Sequence, residues 1–256
     1  VRKLDTVHLP QRVSMMADEI QNLRAVGSES EVETAQRYFA RKMAVPKRDL
    51  DFTHEFQRIG AIKGKVVDAD GSTVLLDIFS EFGLTPTTHN MNLDNDATKV
   101  NQLCVAAKRK QEDVLGAVMS SGQRAYCSAG FFDYLTGHPK VEAAYAIYLD
   151  GLKNRSDNRR GFMFGDIEFV EYRGRVNSTD FIEANRAYLV PLGVPDLFDT
   201  YYAPADYMET VNTPGVPFYA KTEPMEFDKG VQAEMQSNPL HLCTRPNSII
   251  VLGVNA

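Results

Sequence analysis

The chain has no apolar run approaching the roughly 18 residues that a bilayer-spanning helix requires. It opens without a basic-then-apolar leader ahead of a small-residue cleavage site. Membrane insertion and classical secretion are therefore not expected. Its 256 residues include only three cysteines, Cys104, Cys127 and Cys243. They are far apart and odd in number, so neither a disulfide framework nor a CxxC zinc or redox pair can be assembled, and buried thiols in a reducing compartment are the expectation. Positive charge is also short: a formal net charge of -6 and a pI near 5.4 argue against a dedicated nucleic-acid binder, which needs a concentrated Lys/Arg surface to neutralise phosphate. Nor does the chain begin with methionine. Val1, Leu4, Val7 and Leu9 alternate in a strand-like way from the start, and residue 1 reads as an internal start.

The usual catalytic signatures are missing as well. There is no G-x-S-x-G elbow, no G-x-x-x-x-G-K-[ST] phosphate loop and no G-x-G-x-x-G dinucleotide turn. His8, His54, His89, His138 and His241 form no HExxH or HxH pattern and read as surface or packing residues. Glu223, Glu226 and Asp228 read as a solvated acidic face, since no spacing fixes them as an acid and base pair. Lys153, Arg155, Arg159 and Arg160 form the densest basic stretch. Without an interleaved aromatic it reads as a solvated loop in preference to a phosphate contact.

Asp68-Ala69-Asp70-Gly71 has the flavour of a calcium loop. Counted from Asp68, however, glycine falls at position 4 instead of 6, and Phe79 occupies position 12, where a bidentate carboxylate belongs. The same residues lie between Lys65–Val67 and Thr73–Phe79, both rich in β-branched and aromatic residues. Asp70-Gly71 is then a hairpin signal, with the positive φ angles of a type I′ turn. Replacing Gly71 by a β-branched residue should disturb this hairpin, whereas Asp68→Asn should not.

At 43% hydrophobic and 24% charged residues the composition suits one large or two modest globular domains. Residues 14–63 read as mostly helical, with a break at Gly27, a capping box at Ser30-Glu31-Val32-Glu33 and a kink or boundary at Pro46. Val32, Ala35, Phe39, Met43, Leu50, Phe56, Ile59 and Ile62 supply the apolar stripe. Further helices are expected from Asn95 to about Ser120 and from His138-Pro139-Lys140 onward, with Ser128-Ala129-Gly130 as a connector. Strands are expected at 166–172, 186–192 and 248–254. The Tyr/Pro-rich stretch around Pro204, Pro214, Pro217 and Pro224 should be extended and loop-rich.

Taken together, the helix-to-hairpin segment "HEFQRIGAIKGKVVDADGSTVLLDIFSEFGL" (54–84) and the tails "NRAYLVPLGVPDLFDTYYAPADYMETV" (185–211) and "MQSNPLHLCTRPNSIIVLGV" (235–254) resemble the major capsid protein E family of lambda-type tailed phages and prophages. The resemblance covers nearly the whole chain. It implies an α+β chain with the Hong Kong ninety-seven-type capsid fold, in which residues 30–63 form a long spine helix. It further implies a peripheral domain at 1–90 with part of 212–240, and an axial domain at 91–211 and 241–256. Family members carry an N-terminal arm and an extended loop before the spine helix. Most of that region is expected to be missing here, residues 1–10 being its returning strand.

The function so implied is structural: a virion head subunit, made in the bacterial host cytoplasm, that self-assembles as pentamers and hexamers into an icosahedral shell around double-stranded DNA. Scaffold and decoration proteins are the further partners, the DNA is held without sequence-specific binding, and neither cofactor nor metal is implied. Asp70 and Gly71 at the hairpin tip and the aromatics Tyr201, Tyr202, Tyr207 and Phe218 are the candidate subunit-interface residues, with a core role open for the aromatics. Two alternatives come from other classes: a soluble cytoplasmic α+β enzyme with an unrecognised site, and a calcium-dependent binding module using Asp68 and Asp70.

Overall fold

A computed structural model describes residues 3–20, 35–149, 159, 161–176 and 178–255. In chain order the first elements are β1 (Leu9–Met16), α1 (Ala17–Ile20), α2 (Ala35–Lys63), β2 (Lys65–Val67), β3 (Val74–Asp77), α3 (Ile78–Phe82), β4 (Thr87–Asn90), α4 (Val100–Leu115), β5 (Gly122–Cys127), α5 (Ala129–Thr136) and α6 (Pro139–Leu149). After them come β6 (Phe162–Phe164), β7 (Ile167–Glu171), β8 (Arg175–Val176), β9 (Thr179–Asp180), β10 (Arg186–Leu192), β11 (Phe198–Tyr202), β12 (Tyr219–Pro224), β13 (Gly230–Ser237), β14 (Pro239–Cys243) and β15 (Ile250–Gly253). The chain divides into two compact units, Val1–Glu55 with Thr200–His241, and Phe56–Asp199 with Leu242–Ala256.

The second unit is built on a mixed sheet in the order β4-β15-β10-β5-β7-β6. Its central strands read as continuous apolar runs because both faces are covered. In β10, Ala187 and Leu189 enter one core while Tyr188 and Val190 enter another; in β15, Ile250 and Leu252 go one way and Val251 the other. Side chains of a strand alternate between faces, so a sheet buried on both sides requires hydrophobic residues at successive positions.

On the first face, α4 buries Val100, Cys104, Ala107, Gln111 and Leu115, a spacing of three and four that keeps them on one side of the helix. The buried Gln111 amide donates to the carbonyls of Leu189 (3.1 Å) and Ser248 (2.9 Å), tying α4 to the sheet. Phe131, Leu135 and Phe169 complete this core, and each such side chain is worth about 1.5–3 kcal/mol when fully buried. On the second face lie Phe56, Ile59, Ile78 and Phe181, with Ile62, Val67, Leu76 and Val176 packed against them. The Lys63 ammonium meets Glu183 at 2.6 Å and the Phe181 carbonyl at 2.9 Å, and Tyr188 donates to the other Glu183 oxygen at 2.7 Å.

The first unit contains a three-stranded antiparallel sheet in the order β1-β13-β12, covered by a small core of Leu9, Leu50 and Met235 with Val7, Met43 and Phe218 packed on it. The buried His54 ring lies between Phe218 (5.3 Å between centroids, stacked) and His241 (5.5 Å, edge-on), and its Nε2 is 2.8 Å from the Ser237 hydroxyl.

Several expectations are corrected by packing. Residues 14–16 are strand, because β1 pairs with β13 from Leu9↔Ser237 to Met16↔Gly230. The Gly27 break and the Ser30–Glu33 capping box lie outside the described residues. Helix α2 runs through Pro46 without a boundary; the Pro46 ring is buried, which offsets part of the roughly 3 kcal/mol that an interior proline costs. The Asn95–Ser120 helix is shorter, spanning Val100–Leu115 and closed by Gly116. Ser128 is not a connector but the N-cap of α5, its hydroxyl accepting from Phe131 N at 3.4 Å. Independently of these corrections, residues 56–90 pack within the second compact unit and 200–211 within the first, and Phe56, Ile59, Val67 and Leu76 bury themselves with Phe181.

Candidate subunit-contact surfaces

Gly64, at a φ of 79°, turns the chain from α2 into the hairpin of β2 and β3. At the hairpin tip the loop runs from Asp68 to Thr73. Gly71 N donates to the Asp68 carbonyl at 2.9 Å, and Asp68 N donates to the Thr73 carbonyl at 2.8 Å. Gly71 takes a φ of 75° and Asp70 does not have a positive φ, so the expected two-residue type I′ turn is replaced by a longer loop.

A carboxylate closes that loop. Asp70 accepts from Thr73 Oγ1 at 2.6 Å and from the backbone N–H groups of Ser72 and Thr73 at 2.8 Å each. The Thr73 hydroxyl first, then the two amides, hold the Asp70 carboxyl well below the usual carboxylate range. Asp68 accepts from Ala69 N at 2.7 Å. The two aspartates that suggested calcium thus spend oxygens on the loop's own donors. Among the described residues no group of three or more His, Cys, Asp or Glu side chains could hold a metal ion.

The candidate aromatics separate into distinct settings within the first unit. Phe218 is half-buried against His54, with the Lys47 ammonium 5.0 Å above its ring. Tyr202 stacks on the same imidazole at 6.2 Å, so these two side chains have partners in their own chain. Tyr201 is 55% exposed.

Tyr207 sits in an open groove of about 650 Å³ whose lining includes Arg12, Met208, Lys221, Gln232 and Glu234. Its hydroxyl donates to Glu234 at 3.2 Å, and burial followed by the Glu234 charge pushes the phenol up to about 12. Glu234 also pairs with Arg12 and accepts from Gln236, whose amide donates in turn to Asp206 at 2.5 Å. The Arg12 guanidinium holds the Glu234 carboxyl below its ordinary range.

Other exposed apolar side chains have no motif to announce them. Met208 is 90% and Phe227 86% exposed. The Met208 loop is held by its own bonds, Thr210 Oγ1 donating to the Ala205 carbonyl at 2.6 Å and Thr213 Oγ1 to the Thr210 carbonyl at 2.7 Å. Phe227 stands in the β12–β13 turn at a φ of 58°. An apolar residue in a polar turn such as Glu226-Phe227-Asp228 was the one available sequence signal.

The histidines are packing or surface residues. His54, His89, His138 and His241 are buried and His8 is exposed, its Nδ1 2.9 Å from the Asn238 side-chain oxygen. Glu223, Glu226 and Asp228 are exposed. Lys153, Arg155 and Arg160 lie outside the described residues. Among the described residues no helix is long and apolar enough to cross a membrane.

Exposed apolar side chains on hydrogen-bonded loops and surface ion pairs are the equipment of a protein that works by touching other proteins, and the class they fit is a structural subunit. The sequence model of the phage major capsid protein E family matches residues 1–254. The chain belongs to that family, whose members are structural capsid proteins of the virion, so the enzyme alternative is set aside.

Among its relatives is the major capsid protein of Pseudomonas phage KPP10, 33% identical over 79% of this chain and 63% of that one. The major capsid protein of Salmonella phage Felix O1 is 27% identical over 95% of this chain and 75% of the relative. The chain therefore spans about two thirds to three quarters of the length of these relatives. A solved structure described as a prophage capsid protein of E. coli CFT073 superposes with a TM-score of 0.58 at 12% identity, covering 97% of this chain and 77% of that one. At that identity the likeness speaks for the fold alone, which is the Hong Kong ninety-seven type.

Proposed function

We propose that this chain packs with copies of itself, as pentamers and hexamers, into an icosahedral head around double-stranded DNA. The family match across residues 1–254 carries the reading. The first unit, with its sheet and the N-terminal part of α2, is the peripheral-type domain, and the second, with the large mixed sheet, is the axial-type domain. Asp70, Gly71, Tyr201 and Tyr207, with Tyr202 and Phe218 bracing the surface from behind, are the residues through which neighbours meet. Scaffold and decoration proteins act at assembly. The formal charge of -6 suits an inner wall that contains DNA without gripping it, because an inner surface that bound phosphate tightly would oppose filling and release.

Electron microscopy of the full-length protein, expressed alone and with its scaffold, tests the reading. Shells, tubes or capsomer rings are expected, and their absence under every assembly condition would overturn it. Tight, steeply salt-dependent binding of duplex DNA by the isolated subunit would overturn the account of the inner wall.

A further inference from the structure

Among the described residues, strand β12 has a strand neighbour on one side only, the sheet ending β1-β13-β12, and its residues from Ala220 to Pro224 are exposed. Which backbone groups are left open follows from the ladder. Met225 N donates to the Gly230 carbonyl at 2.9 Å, and the register continues with Glu223↔Gln232, Lys221↔Glu234 and Tyr219↔Gln236. Hydrogen-bonded and non-bonded pairs alternate along an antiparallel ladder. Tyr219, Lys221 and Glu223 therefore turn their amides and carbonyls toward β13. Ala220, Thr222 and Pro224 turn theirs outward.

An open edge is a template for another strand, and proteins blunt such edges with lysine and proline. β12 has both, in Lys221 and Pro224, but their placement selects a partner instead of refusing all. A second β12 laid antiparallel about a two-fold axis through Thr222 brings Lys221 opposite Glu223 of the second copy, and Glu223 opposite its Lys221. Cross-strand opposite charges are favourable and like charges are not. Thr222 meets Thr222 with two reciprocal backbone bonds, and each Ala220 N–H meets the Pro224 carbonyl of the other copy. Proline's missing N–H removes one bond at each end without disturbing the centre. Among the described residues Lys221 pairs with the exposed Glu209 at 3.3 Å and lies 5.2 Å above the Tyr207 ring, contacts weak enough to be exchanged.

We infer that β12 is a two-fold contact between copies of this chain, in which the Tyr219–Pro224 edges of two subunits pair antiparallel about Thr222. The inference rests on the reading of the chain as a self-assembling subunit and names one of its contacts.

Thr222→Cys tests the axis. In the hydrogen-bonded pair the two Cα atoms lie about 5.5 Å apart, inside the range of about 4.4–6.8 Å that a disulfide spans. Ala220 and its symmetry mate are about 14 Å apart at roughly 3.4 Å per residue, so Ala220→Cys is the control. The native thiols are all buried. Full-length T222C, folded as judged by circular dichroism and oxidised both in dilute solution and in assembled particles, should form a disulfide-linked dimer that A220C does not. K221E or E223K alone should weaken association about tenfold, and the double swap K221E/E223K should restore it.

Shells in which T222C does not cross-link, or cross-links no better than A220C, overturn the contact and leave the head reading standing. A cross-link without shells supports the contact and counts against the head. Failure of the double swap to recover association also overturns the contact.

Discussion

Replacing Gly64 by alanine should damage the junction between the long helix and the hairpin, and the size of the effect can be worked out from two separable causes. At a φ of 79° a residue with a Cβ is strained by about 1–2 kcal/mol. Independently, that Cβ would stand 2.1 Å from Phe79 Cε2 and 2.5 Å from Cδ2. The half-buried ring must move, an overpacking worth about 1–3 kcal/mol. The sum is about 2–5 kcal/mol, borne by the second unit, in which both residues lie. Hydrogen exchange read by peptide mass spectrometry isolates that unit, which a single unfolding transition of a two-unit chain does not. In a Phe79→Ala background the ring is gone and only the backbone strain remains, so Gly64→Ala should there cost about 1–2 kcal/mol. Equal costs in the two backgrounds would refute the steric component, and a cost below about 0.5 kcal/mol with Phe79 present would refute the reasoning altogether.

The remaining predictions concern single groups. Gly71→Val should destabilise the hairpin by about 1–3 kcal/mol chiefly through backbone strain, because its Cβ would meet no clash, the nearest atoms being Val176 Cγ1 at 3.8 Å and Thr179 Oγ1 at 3.9 Å, ordinary van der Waals contact. Gly71→Asn should be milder and Asp68→Asn near neutral in the same exchange experiment. His89 is held below its ordinary value, first by burial and then by the Lys110 charge. Below about pH 6.5 the unfolded chain therefore binds a proton that the native one resists. Its contribution to stability is complete above that pH and is lost as pH falls through the depressed native value. His89→Gln should flatten that slope in denaturation curves taken from pH 8 to 5, and an unchanged slope would count against it. Burial pushes the Cys104 thiol up to about 12, Cys243 to about 11 and Cys127 well above its ordinary value. All three should stay unreactive toward a thiol reagent at pH 8 until the chain unfolds, and prompt labelling of any one would contradict the packing.

What the sequence made legible was whatever is fixed by near neighbours. The run of apolar residues at 186–192 specified a strand, and the structure shows why the run is continuous, Ala187 to Val190 being buried on both faces of the sheet. Pro139 opened α6 as its fixed φ favours,. Errors arose where distant partners decide. Ser14 to Met16 lead into helix-compatible residues, yet β13, more than 200 positions away in sequence, claims them for a strand. Asp70-Gly71 promised a tight turn from dipeptide chemistry, and the Asp70 carboxylate instead organised a longer loop by accepting from Ser72 and Thr73.

The contact residues were the hardest part to read, and for a physical reason. An aromatic side chain has no sequence mark that distinguishes covering its own chain from covering a neighbour's. Phe218 and Tyr202 lean on His54, whereas Met208 and Phe227, which look no more remarkable in sequence, are almost fully exposed. Affinity in a shell is multiplied over many neighbours, so each contact can be modest. Modest contacts need no dense patch of tryptophan, tyrosine and arginine of the kind that marks a strong pairwise interface. Backbone edges and alternating charges suffice, and Lys221-Thr222-Glu223 supplies both in three residues. For such a surface the informative pattern is self-complementarity about a symmetry axis, which becomes visible only once the register of β12 on β13 has shown which amides point outward.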